Sequence, residues 1–137
     1  MTQHNPARIE PGLEGFCQRI VPREWTLAHI DPSLPAVFST PAMIGIMEMA
    51  CTRAVRNRLP AGAITVGVRI EVDHLKSVPA GATVVAVSKL VKVDGRKLIF
   101  EVEVRSGTDI IGRGHVFHTI VRHSRLIGIT AEKPASR

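Results

Sequence analysis

The stretch Thr40-Pro-Ala-Met-Ile-Gly-Ile-Met-Glu-Met-Ala-Cys-Thr-Arg-Ala-Val55 decides how the rest of the chain reads. Met43, Met47, Ala50 and Ala54 recur at spacings of four, three and four, and Ile44, Cys51 and Val55 widen the same stripe. That period belongs to an amphipathic helix. Thr40 is a good N-cap and Pro41 suits the first helical position. Arg53 and Arg56 fall on the far side. Leu59-Pro60 and Gly62 stop the pattern after about 18 residues. The small residues Gly45, Ala50 and Ala54 let such a helix lie close to a neighbouring surface.

Everything downstream reads as strand. Ile64, Val66, Val68, Ile70 and Val72 alternate with Thr65, Gly67, Arg69, Glu71 and Asp73, the period of a half-buried strand. Ser77 to Gly81 is a turn containing Pro79. Residues 82–93 are rich in valine, and Asp94-Gly95 is a two-residue hairpin signal. Leu98, Phe100, Val102 and Val104 alternate with Glu101, Glu103 and Arg105. Ser106 to Asp109 turns the chain again, and residues 110–121 make a last strand interrupted by Gly112 and Gly114. Upstream of the helix, residues 13–30 read as short extended segments broken by Pro22, followed by a loop at Asp31 to Pro35. One apolar helix against one antiparallel sheet predicts an α+β fold. A sheet that curls around a single central helix is the hot-dog architecture. Its open strand edges suggest a homodimer, or a dimer of dimers, because unpaired edges are a liability. The expected organisation is a flexible arm over residues 1–12, one domain over 13–126 and a tail over 127–137.

Composition narrows the function classes. A chain of 137 residues with 45% hydrophobic and 22% charged residues is one globular domain with a real core, not a disordered one. The apolar run from Ala42 to Met47 ends at Glu48, far short of a membrane span. The polar start of the chain, with Pro6 and Pro11, has no apolar core of a secretory signal. Cys17 and Cys51 match no metal spacing and form no disulfide framework, so a reducing, cytoplasmic compartment is expected. The net charge of +6 favours an anionic partner. The cations are spread singly, aromatics make up 4% and tyrosine is absent, so nucleic acid is not the expected partner.

Candidate chemistry gathers on few residues. Glu48 lies four residues after Ile44 and three before Cys51, at the margin of the apolar stripe. A carboxylate beside a core must be paired or have a raised pKa, unless it simply reaches water. His74 continues the even-numbered register and should face the helix. Two titratable groups tending toward one interior are a better candidate than either alone. Thr40, besides capping, sits at the positive end of the helix dipole, where a developing oxyanion is stabilised. Gly67 interrupts a filled strand, as expected for a bulge or for close approach of a ligand. His118 shares parity with Val116 and Ile120 and is expected to point inward, while His115 points the other way. No metal motif, Walker loop, dinucleotide fingerprint or nucleophile elbow is present, and neither metal nor cofactor is expected.

Taken together, these segments resemble the fluoroacetyl-CoA thioesterase family, a branch of hot-dog thioesterases. The resemblance rests on Val37 to Cys51, Thr65-Val-Gly67, Asp73-His74, Val93-Asp-Gly-Arg-Lys-Leu98 and Ile111-Gly-Arg-Gly114, and it covers roughly residues 12–121. It implies homodimers with active sites at the subunit interface. It implies a catalytic hydroxyl, carboxylate and imidazole at Thr40, Glu48 and His74, whose intervals of eight and twenty-six residues agree with the family pattern. It further implies substrate-facing roles for Gly67, Phe38 and His118. Where the fluoroacetyl-specific enzyme carries a late arginine, this chain has His118, and the loop before Thr40 is shorter than that enzyme's lid. What the resemblance implies is therefore hydrolysis of a small or medium acyl-CoA thioester, with the acyl group left open. The competing readings are a non-catalytic acyl-CoA or small-ligand binding protein and a hydratase-type enzyme. The latter is disfavoured because Glu48 and His74 lie on separate elements rather than in one Asp-x-x-x-x-His dyad.

Overall fold

The computed structural model describes residues 8–130. Strand β1 (Glu14–Ile20) is followed by a 3-10 turn (Arg23–Trp25), a single helical turn α1 (Leu27–Ile30) and the long helix α2 (Thr40–Val55). Four strands come next: β2 (Ala63–His74), β3 (Thr83–Asp94), β4 (Lys97–Ser106) and β5 (Asp109–Arg122). A final helix, α3 (His123–Thr130), closes the described chain. The strands form one antiparallel sheet in the order β1-β3-β4-β5-β2, with β1 and β2 at its two edges. This is the α+β arrangement expected from the helix and strand periods. None of the described helices is long and apolar enough to cross a membrane.

Helix α2 lies on the concave face of the sheet. Met43, Ile46, Met47, Ala50, Cys51, Ala54 and Val55 are its buried residues. They meet Val84, Ala86, Leu90, Leu98, Phe100, Val104 and Val116 from the strands, all within one core. Each fully buried Val, Leu, Phe or Met among them stabilises by about 1.5–3 kcal/mol relative to exposure. Ile44, expected in the stripe, is half-buried, and Ile46 takes its place. Close packing has a backbone requirement at Gly15, where a Cβ would collide with the carbonyl oxygen of Ala50. The one buried hydroxyl along this contact, Ser88, donates to that same carbonyl at 2.8 Å.

Three local expectations change. First, Ser39, not Thr40, caps α2: its hydroxyl accepts from the Ala42 N–H at 3.3 Å, and Thr40 and Pro41 occupy the first turn. Second, β2 does not keep a single alternation. Its pairing with β5 slips between Gly67 and Arg69. A bulge inserts one residue and so exchanges the two faces. Thr65 is buried and Gly67 faces the helix before the slip, whereas Ile70 and Val72 pack on the core after it. Val68, expected inside, is 61% exposed. Third, two short helices appear where the sequence read as extended or irregular. α1 is only four residues long, and α3 buries no side chain, so neither leaves a periodic apolar pattern to read.

At the N-terminal end, the Gly12 N–H donates to Leu90 O at 2.8 Å and Ile9 packs against the core. The rest of the expected arm and tail, residues 1–7 and 131–137, lies outside the described residues.

Candidate functional site

Two groups of polar side chains face the helix side of the sheet. The first joins the start of α2 to the end of β2. Thr40 Oγ1 lies 2.8 Å from His74 Nδ1. Ser39 makes this possible by taking over the capping task, which leaves the Thr40 hydroxyl free for the imidazole. His74 is half-buried, and burial draws its pKa below the ordinary histidine value, partly opposed by a main-chain hydrogen bond at Lys76. Its Nε2 is buried without a hydrogen-bond partner. The buried ring of Phe38 approaches it edge-on, with centroids 6.3 Å apart. A cavity of about 270 Å³ opens beside the pair, lined by Leu27, Val37, Phe38, Thr40, His74 and Lys76.

The second group lies further along both elements. Glu48 projects from α2 toward the bulge in β2. A Cβ on Gly67 would overlap the Glu48 carboxylate, and it would sit 3.6 Å from His118 Nε2. Glycine is what lets that carboxylate approach the strand. His118 reaches through from β5, where its backbone pairs with Gly67. Its side chain is 1% exposed, its Nε2 is 3.6 Å from Glu48 Oε2 and its Nδ1 is 3.1 Å from Thr65 Oγ1. The Phe100 ring closes over it edge-on at 5.4 Å. Cys51, one turn further on α2, is buried, and burial together with the Glu48 charge pushes its thiol far up. It is a protonated packing residue, not a nucleophile.

The geometry divides the residues singled out from sequence. Thr40, His74 and Phe38 form one group; Glu48, Gly67 and His118 form the other. Eight residues of helix separate Thr40 from Glu48, roughly 12 Å along the axis. Seven residues of strand separate Gly67 from His74, roughly 20 Å. Within one chain, Glu48 and His74 therefore share a face of the sheet but not a site. Thr65 escaped sequence reasoning because an unbroken alternation puts it on the outer face. The signal that could have found it was Gly67 read as a bulge. His115 lies on the outer face, exposed, as its parity required. Among the described residues no three His, Cys, Asp or Glu side chains gather as a metal site.

Burial also fixes the charge of His118. It pulls the imidazole from 6.5 down to about 4. The Glu48 carboxylate facing it is 39% exposed and water-screened, and it does not reverse that sign. The unfolded chain then binds this proton before the folded one as pH falls. Stability from the neutral imidazole is full above about pH 6.5 and drains away toward pH 4, by up to roughly 3 kcal/mol. A His118→Gln variant has no group to titrate there. Its urea midpoint is expected to fall less between neutral pH and about pH 4.5 than that of the parent; equal slopes would refute the assignment.

Residues 21–124 match the model of the family described as fluoroacetyl-CoA-specific thioesterase. A fluoroacetyl-CoA thioesterase from Streptantibioticus cattleyicolor is 38% identical over 101 residues, covering 69% of this chain and 73% of that protein. The solved structure of a fluoroacetyl-CoA thioesterase superposes with a TM-score of 0.83 at 30% identity, over 93% of this chain and 99% of that one. A hot-dog-like protein from Thermanaerovibrio acidaminovorans, 21% identical with a TM-score of 0.79 over 93% of this chain and 94% of its own, shares the fold. A glycine that seats a helix carboxylate and a threonine paired with a strand histidine are thus set in a hot-dog sheet, and by sequence and structure alike the chain belongs to the fluoroacetyl-CoA-specific thioesterase family.

Proposed function

We propose that this protein hydrolyses a small acyl-CoA thioester at a site shared between two copies of the chain, with Thr40 and His74 from one copy and Glu48, Gly67 and His118 from the other. Thioester hydrolysis itself comes with family membership. The observation that carries the shared site is the division of the polar groups described above, set beside a free strand edge. Among the described residues, strand β2 has β5 as its only neighbour in the sheet. Antiparallel pairing of two β2 edges about a two-fold axis at Glu71, with Val68 left unpaired in each bulge, sets His74 opposite Gly67 of the second copy. A two-fold contact repeats itself, so each dimer gains two such meetings. The same pairing satisfies an otherwise open sheet edge.

In this arrangement Gly67, Glu48, His74 and Thr40 each have one task. The absence of a side chain at Gly67 seats the Glu48 carboxylate against the strand, and the bulge that begins there interrupts the ladder, where a main-chain N–H can bind the thioester oxygen. Glu48 takes a proton from the attacking water, whose oxygen bonds to the carbonyl carbon. The carbon–sulfur bond breaks, and His74 Nε2–H supplies the proton that the departing thiolate needs. Thr40 holds the imidazole by its Nδ1. The cavity beside Phe38 and Thr40, about 270 Å³, receives a compact acyl group. On the outer face of the sheet, a cleft of about 470 Å³ is walled by three cations, Arg69, Lys92 and Lys97, and one carboxylate, Asp94, with Phe117 and Ile99 as its apolar floor. It suits the phosphates of CoA, which Arg and Lys bind through charge-assisted hydrogen bonds.

Free-thiol release tests this reading. Acetyl-, fluoroacetyl-, medium-chain and aryl-CoA thioesters are offered to the parent and to a His74→Ala variant. At least one thioester is expected to be cleaved, with turnover falling by about 10²-fold or more in the variant. Binding of CoA esters without any thiol release would identify a binding protein instead.

A further inference from the structure

The mechanism above leaves one buried polar contact unused, the pairing of Thr65 with His118. His118 is 2% exposed, and its Nε2 is buried with no hydrogen-bond partner while it faces Glu48 Oε2 at 3.6 Å. A buried polar atom without a partner needs an explanation. Burial keeps the ring neutral, so it carries one N–H proton on one of its two nitrogens. The two choices are not equivalent. If Nδ1 held the proton, it would donate to Thr65, and the Nε2 lone pair would confront a carboxylate oxygen 3.6 Å away. If Nε2 holds it, the Thr65 hydroxyl donates to Nδ1 and an N–H points at the carboxylate. The second arrangement turns a repulsion into an attraction, and it uses the hydroxyl's ability to donate as well as accept.

We propose that Thr65 is a positioning residue: its hydroxyl donates to His118 Nδ1, fixes the Nε2–H tautomer and thereby makes His118 a neutral donor that orients the Glu48 carboxylate against Gly67. The chain of donors runs Thr65 Oγ1–H to His118 Nδ1, then His118 Nε2–H to Glu48. The 3.6 Å gap is longer than a hydrogen bond. Catalytic hydrogen bonds are often long before substrate binds and shorten in the complex. The inference rests on the catalytic use of Glu48, but the tautomer does not.

Two measurements on the full-length protein separate these layers. The first is the ¹⁵N signature of the His118 imidazole at neutral pH, read by long-range ¹H–¹⁵N correlation. It is expected to show a protonated Nε2 in the parent and in Thr65→Ser, and a loss of that preference in Thr65→Val. A parent ring protonated on Nδ1 overturns the proposal whatever the enzyme's activity. The second is steady-state kinetics on whichever acyl-CoA is cleaved. Thr65→Val is expected to lower kcat by about tenfold with KM unchanged, and Thr65→Ser to restore it. Parental kcat in Thr65→Val would remove the positioning role even if the tautomer is as stated. A parent with the expected tautomer but no hydrolysis of any ester would count against the proposed function and not against the Thr65–His118 pairing.

Discussion

Replacing Glu48 with glutamine is expected to lower kcat for acyl-CoA hydrolysis by about 10³-fold while leaving the fold and the thermal midpoint nearly unchanged. The size of the loss follows from what the amide cannot do. Glutamine keeps the volume and most of the hydrogen-bonding reach of the carboxylate, but it cannot take a proton from water at neutral pH. The small structural cost follows from where the side chain sits. Glu48 is 39% exposed, and the imidazole it faces is kept neutral by burial. No buried ion pair is broken, so the penalty of leaving a charge uncompensated does not arise. KM should move little if the acyl-CoA is held, as proposed, by the cavity and the cationic surface. The measurements are steady-state turnover on a cleaved ester and a thermal melt of both proteins. Turnover at the parental rate would remove the carboxylate from the chemistry. A large drop in melting temperature would instead mark Glu48 as part of the framework.

How far the sequence could carry this conclusion depends on the element. Helix α2 and the hairpins around it were legible because their signals are long and redundant. Sixteen residues of helical period and four strands with alternating apolar residues leave few ways to pack one core. The parts that were not legible turn on single residues. Ser39 and Thr40 are both good caps, and neighbouring positions compete for the same N–H groups. Only the packing of Phe38 and the strand end at His74 settles which hydroxyl is left for chemistry. In β2, alternation through Ile64, Val66 and Val68 is real in the sequence, but the slip after Gly67 turns those side chains outward and turns Thr65 inward. A bulge costs one residue and leaves no hydrophobic trace, so the glycine was its only mark. His74 and His118 were placed on the inner face correctly, yet for His74 the reason was partly fortunate. The expected even-numbered register holds only after the bulge. The division of the polar residues into two groups was not legible at all. It depends on distances along α2 and β2 that become meaningful only once both are laid in the same sheet.

That division yields a sharper test than any single substitution. His74→Ala and Glu48→Gln are each expected to be nearly inactive. If one site needs His74 from one copy and Glu48 from another, a dimer containing one of each variant has one site with both defects and one with neither. Co-expression of the two variants with separate tags, followed by random pairing, is then expected to restore about a quarter of the parental activity, because half the dimers are mixed and each mixed dimer has one intact site of two. Isolation of the mixed dimers by both tags should raise this to about half. If each site were built within one chain, every chain in the mixture would carry a lesion in its own site, and mixing could restore nothing. The same experiment also reports on the contact. A charge placed on the free edge of β2, as in Val68→Asp, should impair self-pairing and lower the recovered activity together with the dimer fraction. Activity recovered by mixed dimers, and lost when they dissociate, requires that His74 of one copy and Glu48 of the other serve one site, and its joint loss with the dimer fraction in Val68→Asp is what would tie that site to the β2 edge.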